Sequence, residues 1–222
     1  MHLSPALYLR DPEQTELGKR IVDHSIQLID ELGFERFTFK KLARAMGSTE
    51  ASIYRYFENK HRLLVYLVSW YWSWIRYRIE FHVVNLTDPV VRLRKVVAVL
   101  AESTTYDPNF SHIDEVALHR IVVVESGKAY QTKWVDEDNE EGLFAGYKEL
   151  CLTISTLISE AQPSFKYPRA LASTVIEASH QQIFFAQHLP SLTELKVDGD
   201  QFTEIAAFLE LLLFRQLGDV NA

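Results

Sequence analysis

Phe37-Thr38-Phe39-Lys40-Lys41-Leu42-Ala43-Arg44-Ala45-Met46-Gly47-Ser48-Thr49-Glu50-Ala51-Ser52-Ile53-Tyr54-Arg55-Tyr56-Phe57 decides the fold. It divides into two short helical segments, about Thr38 to Ala45 and about Thr49 to Tyr56, around a turn at Gly47. A tight crossing of two short helices needs a small residue where they touch, which Ala43 supplies. It also needs a residue tolerant of positive φ in the turn, which Gly47 supplies four positions on. Phe37, Leu42, Ile53 and Phe57 then form a shared core, and Thr49, Glu50, Ser52, Tyr54, Arg55 and Tyr56 face outward or flank it. Polar and aromatic side chains on a short exposed helix suit contact with base edges and phosphates. By spacing alone, a helical hairpin with no DNA role satisfies the same pattern.

The charge distribution separates the two readings. The 222 residues carry 23 Lys+Arg against 30 Asp+Glu, a formal net charge of −7, which taken whole argues against nucleic acid. Residues 1–82 are net +2 and residues 83–222 net −9. Within Arg36 to Arg62 the bases are Arg36, Lys40, Lys41, Arg44, Arg55, Lys60 and Arg62, against Glu50 and Glu58 alone, a window of +5. Such a separation turns a basic face toward DNA while the acidic body is repelled.

Outside this stretch the punctuation is that of an all-α protein of about nine helices. Hydrophobic residues make up 47% of the chain, and there are only 8 Gly and 7 Pro. Asp11, Pro12 and Gln14 read as cap, first-turn proline and capping-box partner of a helix from about Pro12 to Leu32, closed by Gly33. A long fourth helix runs from about Asn59 to Val83, and five more cover about 89–104, 111–126, 139–161, 168–189 and 200–217. A single Cys151 forms no intrachain disulfide, and the longest uncharged apolar-rich stretch, Leu63 to Ile75, is short of a membrane span. With no secretory signal visible, the cytoplasm is the expected compartment. No nucleophile motif, metal-spaced His/Glu set or phosphate-binding glycine loop appears, so neither an enzyme nor a bound cofactor is expected. The acidic run Asp136, Glu137, Asp138, Glu140 and Glu141 reads as a solvated loop leading into a helix, with a divalent-cation site as the lesser alternative.

Thr38 to Leu64 resembles the TetR family of transcriptional regulators, above all in Ala51-Ser52-Ile53-Tyr54-Arg55-Tyr56-Phe57-Glu58-Asn59-Lys60 followed by Leu63-Leu64. The resemblance covers about Glu16 to Val68. It implies a DNA-binding domain over 12–60, a fourth helix over 59–83 linking the domains, and a ligand-binding and dimerisation domain over 84–222. It implies that Thr38 opens the second helix and bonds a phosphate, and that Ser52, Tyr54 and Tyr56 contact backbone or bases. Lys60 would meet a phosphate, and Lys40, Glu50, Ala51 and Arg55 complete the expected DNA-binding set. Glu50 departs from the family pattern. A carboxylate there accepts from cytosine N4 but costs affinity near phosphates.

In the fourth helix, Tyr66, Trp70, Trp74, Tyr77 and Phe81 share one face, which reads first as core. The resemblance implies that this helix also lines an effector pocket, which makes Trp70, Trp74 and Tyr77 candidates. Tyr106, Phe110, Trp134, Phe144 and Tyr147 would suit an apolar or aromatic ligand, with His112 or His119 as polar anchors. The segments 168–189 and 200–217 are apolar around much of their circumference, so they are expected to be buried on more than one side. By the resemblance they pair in a homodimer whose recognition helices meet successive major grooves of a palindromic operator on double-stranded DNA. The implied function is a repressor released by a small-molecule effector. A carrier of an apolar molecule or lipid on the same fold, without DNA binding, stays open beside it.

Overall fold

The first helices of this chain start where side-chain oxygens satisfy the first free amides of each turn. In the computed structural model, which describes residues 3–102, 113–197 and 202–218, Asp11 Oδ1 accepts the Glu13 amide at 3.0 Å and closes a 3-10 turn over Pro12–Gln14. The backbone leaves helical geometry at Thr15, whose hydroxyl accepts the Gly18 amide at 3.0 Å and starts α1 (Glu16–Leu32). The single helix expected from Pro12 is thus split, because Asp11 and Thr15 each cap their own turn. Gly18 lies so close to that turn that an added Cβ would fall 2.3 Å from the Pro12 carbonyl oxygen. Gly18→Ala is expected to destabilise the fold by about 1–3 kcal/mol, the usual range for overpacking. A urea melt with an unchanged midpoint would contradict that contact.

The helix-turn-helix forms as its sequence dictates. Thr38 caps α2 (Phe39–Ala45) by accepting the Lys41 amide, and Thr49 caps α3 (Glu50–Tyr54) by accepting the Ser52 amide, each at 3.3 Å. Gly47 turns at φ +61°, and the Ser48 amide closes on the Ala43 carbonyl at 2.8 Å. Phe37, Leu42, Ile53 and Phe57 are all fully buried.

Beyond it come α4 (Lys60–Val83), α5 (Pro89–Ala101), α6 (Glu115–Glu125), α7 (Gly127–Tyr130), α8 (Val135–Glu140), α9 (Ala145–Ala161), α10 (Pro168–His188) and α11 (Thr203–Leu217). All regular structure among the described residues is helical. The described residues form eleven α-helices where nine were expected. The helix expected over 139–161 is two, α8 and α9, broken where Gly142 adopts φ +76°. The acidic run is not a loop but lies on α8, save Glu141 just after it, and its carboxylates other than Asp138 are exposed. Its Asp138 is buried and accepts from His61 Nε2 at 3.3 Å, while Arg62 pairs with Asp138 at 3.5 Å and with Glu141 at 2.6 Å.

The helices fall into two compact units. The first takes in α1–α3, α4 through Trp72, and α6–α8. Placing 84–222 together in one C-terminal domain differs from this, since α6 packs on α1 within the first unit. Arg120 of α6 forms a two-pronged pair with Asp30 of α1 at 2.9 and 2.6 Å. Glu125, buried at the end of α6, accepts the Phe34 amide at 3.1 Å.

The second unit takes in α4 from Ser73, α5, α9 from Tyr147, α10 and α11. Its core is made where α5, α10 and α11 pack together, with Leu93, Val97, Ile183, Ile205, Leu209 and Leu213 buried. Cys151 sits half-buried on α9, and burial pushes its thiol up to about 11, only partly offset by the Tyr147 hydroxyl. The folded chain therefore keeps a proton that the unfolded chain releases above the ordinary value of 9.0. The associated stability is present below that pH and falls as pH rises toward 11. At pH 8 the native thiol is expected to alkylate with iodoacetamide about 100-fold more slowly than in the urea-unfolded chain, following the loss of thiolate. Equal rates would show that burial does not hold the proton.

Candidate nucleic-acid interface

The basic window is less free than its formal charge suggests. Lys41 Nζ donates to the Arg36 carbonyl at 2.8 Å. Lys60 Nζ donates to the carbonyls of Phe34, Glu35 and Phe37 at 3.1, 3.4 and 3.5 Å, and lies 4.6 Å from the Phe34 ring centre. These carbonyls belong to the loop that follows α1, where no helix amide reaches them. Arg62 is engaged by Glu58, Asp138 and Glu141. Arg36, Lys40, Arg44 and Arg55 are exposed and have no hydrogen bond or ion pair among the described residues. They are the charges of the window available to a phosphate.

The loop that holds Lys60 is itself held. Lys128 bridges Glu125 at 2.7 Å and Glu35 at 3.1 Å. Hydrogen bonding from Lys128 draws the exposed Glu35 carboxyl below its ordinary value, and Glu125 raises Lys128 in return. Arg20 Nη2 donates to the Met46 carbonyl at 2.9 Å and so fastens the turn between α2 and α3 to α1.

On α3, Glu50, Ala51 and Arg55 are exposed and Ser52 is half-buried, its hydroxyl 2.9 Å from that of Thr49. Tyr54 is 48% exposed and rests edge-on against Phe39, ring centres 5.0 Å apart. Thr38 and Lys40 are exposed at the start of α2. Tyr56 corrects the sequence reading. It is 2% exposed, and its hydroxyl shares a 2.7 Å hydrogen bond with that of Thr15. It follows Ile53 by three positions, so it turns to the same inner face. Lys60 is the second difference, its ammonium facing three carbonyls rather than solvent.

The effector candidates are dispersed. In the first unit Trp70 is buried, the His119 Nδ1 atom and the Tyr71 hydroxyl share a 2.8 Å hydrogen bond, and Phe144 meets the Tyr130 ring edge-on at 6.4 Å. Trp134 is 54% exposed, with Lys133 Nζ 4.8 Å from its ring centre. In the second unit Trp74 is buried under the Arg78 guanidinium, and the Tyr147 hydroxyl donates to Glu177 at 2.7 Å. Tyr77 is 46% exposed beside Phe81. Tyr77 and Trp134 therefore lie at the surface, and Tyr106, Phe110 and His112 lie outside the described residues. The second unit has an open groove of about 640 Å³ between the end of α4, α5 and α9, and none of these candidates lines it. Buried Glu115, one turn before His119, escaped the sequence reading although a carboxylate at an apolar position of a helix was its signal. Among the described residues no group of three or more His, Cys, Asp or Glu is placed to hold a metal, and no helix is long and apolar enough to cross a membrane.

Residues 21–67 match the family model of bacterial regulatory proteins, tetR family. Over this segment the chain is similar to the tetR family. The matched span takes in most of α1, all of α2 and α3, and the first turns of α4. Nucleoid occlusion factor SlmA of Haemophilus influenzae is 28% identical over 86 residues, 39% of this chain and 39% of that protein. The match thus spans well under half the length of that curated relative. Solved structures extend the likeness in fold to most of the chain. A tetR-family regulatory protein from Rhodococcus RHA1 has TM-score 0.63 at 15% identity, covering 92% of this chain and 98% of its own. AibR, solved with isovaleryl coenzyme A and operator DNA, has TM-score 0.59 at 16% identity, covering 87% and 96%.

Proposed function

We propose that this protein is a cytoplasmic transcriptional regulator of the tetR family, a repressor, that binds a palindromic operator as a dimer and is released by a small apolar or aromatic effector. The observation that carries the reading is the division of labour on α2 and α3. The inner residues close the core, while Thr38, Lys40, Arg44, Tyr54 and Arg55 stay exposed on one short helix pair. The dimer is supported by apolar side chains that one chain leaves partly uncovered on its last two helices, namely Phe184, Phe185, Phe208, Leu212 and Phe214, with Leu211 exposed. An acyl-coenzyme A effector is supported by the likeness to AibR, whose acyl chain is apolar in the sense the sequence suggests. Release would be a population shift, since the effector favours a dimer state whose recognition helices no longer match the half-site spacing. A carrier without DNA binding is not favoured, because it has no use for unpaired arginine and lysine heads on this face.

Selection of duplexes from a random pool tests the proposal. An enriched palindrome, with binding weakened by an acyl-coenzyme A, is the expected result. No enrichment and no binding of any duplex at low salt would reject it.

A further inference from the structure

The chain before α1 is built onto the exit of the recognition helix. Ser4 accepts the Ala6 amide and opens a 3-10 turn over Pro5–Leu7, whose Leu7 is buried. Tyr8 meets the Tyr66 ring edge-on at 6.3 Å, and the Leu9 amide donates to the Tyr56 carbonyl at 2.8 Å. Arg10 follows, exposed, its guanidinium carbon 5.5 Å from the centre of the Tyr56 ring. No carboxylate among the described residues pairs with it. The nearby acids are engaged elsewhere. Asp11 accepts from the Glu13 amide and from Gln14 Nε2, both at 3.0 Å, and Glu13 accepts the Tyr66 hydroxyl at 3.0 Å.

We propose that this N-terminal arm is part of the DNA-contacting surface, with Arg10 donating to a backbone phosphate beside the exit of α3. The inference rests on the DNA-binding reading and adds to it a residue outside the helix-turn-helix. α3 has five residues and is about 7.5 Å long, so in a major groove about 12 Å wide its exit is within an arginine's reach of the groove wall. Arg55, the last residue before Tyr56, is exposed at that exit, and Arg10 follows directly on Leu9, whose amide donates to the Tyr56 carbonyl. The Tyr56 ring is fixed by its hydroxyl bond to Thr15 and holds the face of the guanidinium. The N–H groups around the guanidinium edge are left to fork onto phosphate oxygens. An arginine so placed carries no sequence information and sets register and affinity.

Binding to a labelled mixed-sequence duplex, followed by fluorescence anisotropy across a KCl series, tests the assignment. Arg10→Gln is expected to weaken binding on every sequence and to make the slope of log K against log[KCl] shallower by about 0.9 per protomer, the share of one phosphate. Arg10→Lys is expected to retain the slope. An unchanged slope in Arg10→Gln, or an equal fall in Arg10→Gln and Arg10→Lys, would assign Arg10 to packing on Tyr56 and overturn the proposal. In the wild type, duplex DNA is expected to slow modification of Arg10 by phenylglyoxal; modification at the same rate overturns it even where the Gln variant folds poorly. A wild type that binds no duplex at low salt removes the DNA-binding reading and this inference with it.

Discussion

Raising KCl from 50 to 200 mM is expected to weaken binding of the proposed dimer to mixed-sequence duplex DNA by up to about 10⁵-fold, because each phosphate neutralised releases condensed counterions. The size follows from which charges are free. Arg10, Arg36, Lys40, Arg44 and Arg55 carry unpaired heads, so two protomers offer up to ten contacts and a slope near about −9. Had Lys41, Lys60 and Arg62 been free as the bare sequence counts them, the slope would be steeper by about 5. A titration of affinity against salt decides between these. A slope well beyond −9 would mean that Lys60 and Arg62 exchange their internal partners for phosphates. Binding with almost no salt dependence would contradict an interface built on these side chains.

Phe57→Ala is expected to cost about 3–5 kcal/mol, a large part of the stability of an ordinary domain. Phe57 is fully buried at the exit of α3, its amide donates to the Ile53 carbonyl at 3.1 Å, and its ring meets Tyr66 of α4 with centres 5.2 Å apart. Deleting a fully buried ring costs its transfer free energy and leaves a cavity, and the two losses add. Equilibrium urea unfolding followed by circular dichroism measures it. A loss below about 1 kcal/mol would show that the site collapses around the missing ring.

The helix-turn-helix was legible because its determinants are local. Ala43, Gly47 and the two threonine caps act within a few residues of themselves, and Phe37, Leu42, Ile53 and Phe57 repeat at helical spacing. The destinations of Tyr56 and Lys60 were not legible, since each is decided by a partner distant in sequence: the Thr15 hydroxyl for Tyr56, and the carbonyls after α1 for Lys60. The acidic run failed for the same reason. Its pattern is that of a solvated segment until His61 and Arg62 arrive to pair with Asp138. Arg10 lay outside the motif window, and only its contact with Tyr56 brings it to the recognition helix. The effector site was least legible, because an aromatic stripe on one helix is equally the signature of a core.

The membership of α6–α8 in the first compact unit bears on how this protein can be dissected. A fragment cut after α4 would keep every residue of the recognition motif yet lose Arg120 and Glu125, which serve Asp30 and the Phe34 amide, and would remove the cover that α6 gives α1. Limited digestion should accordingly release the N-terminal helices with α6–α8 still bound, as one cooperative block, rather than as a free-standing three-helix module.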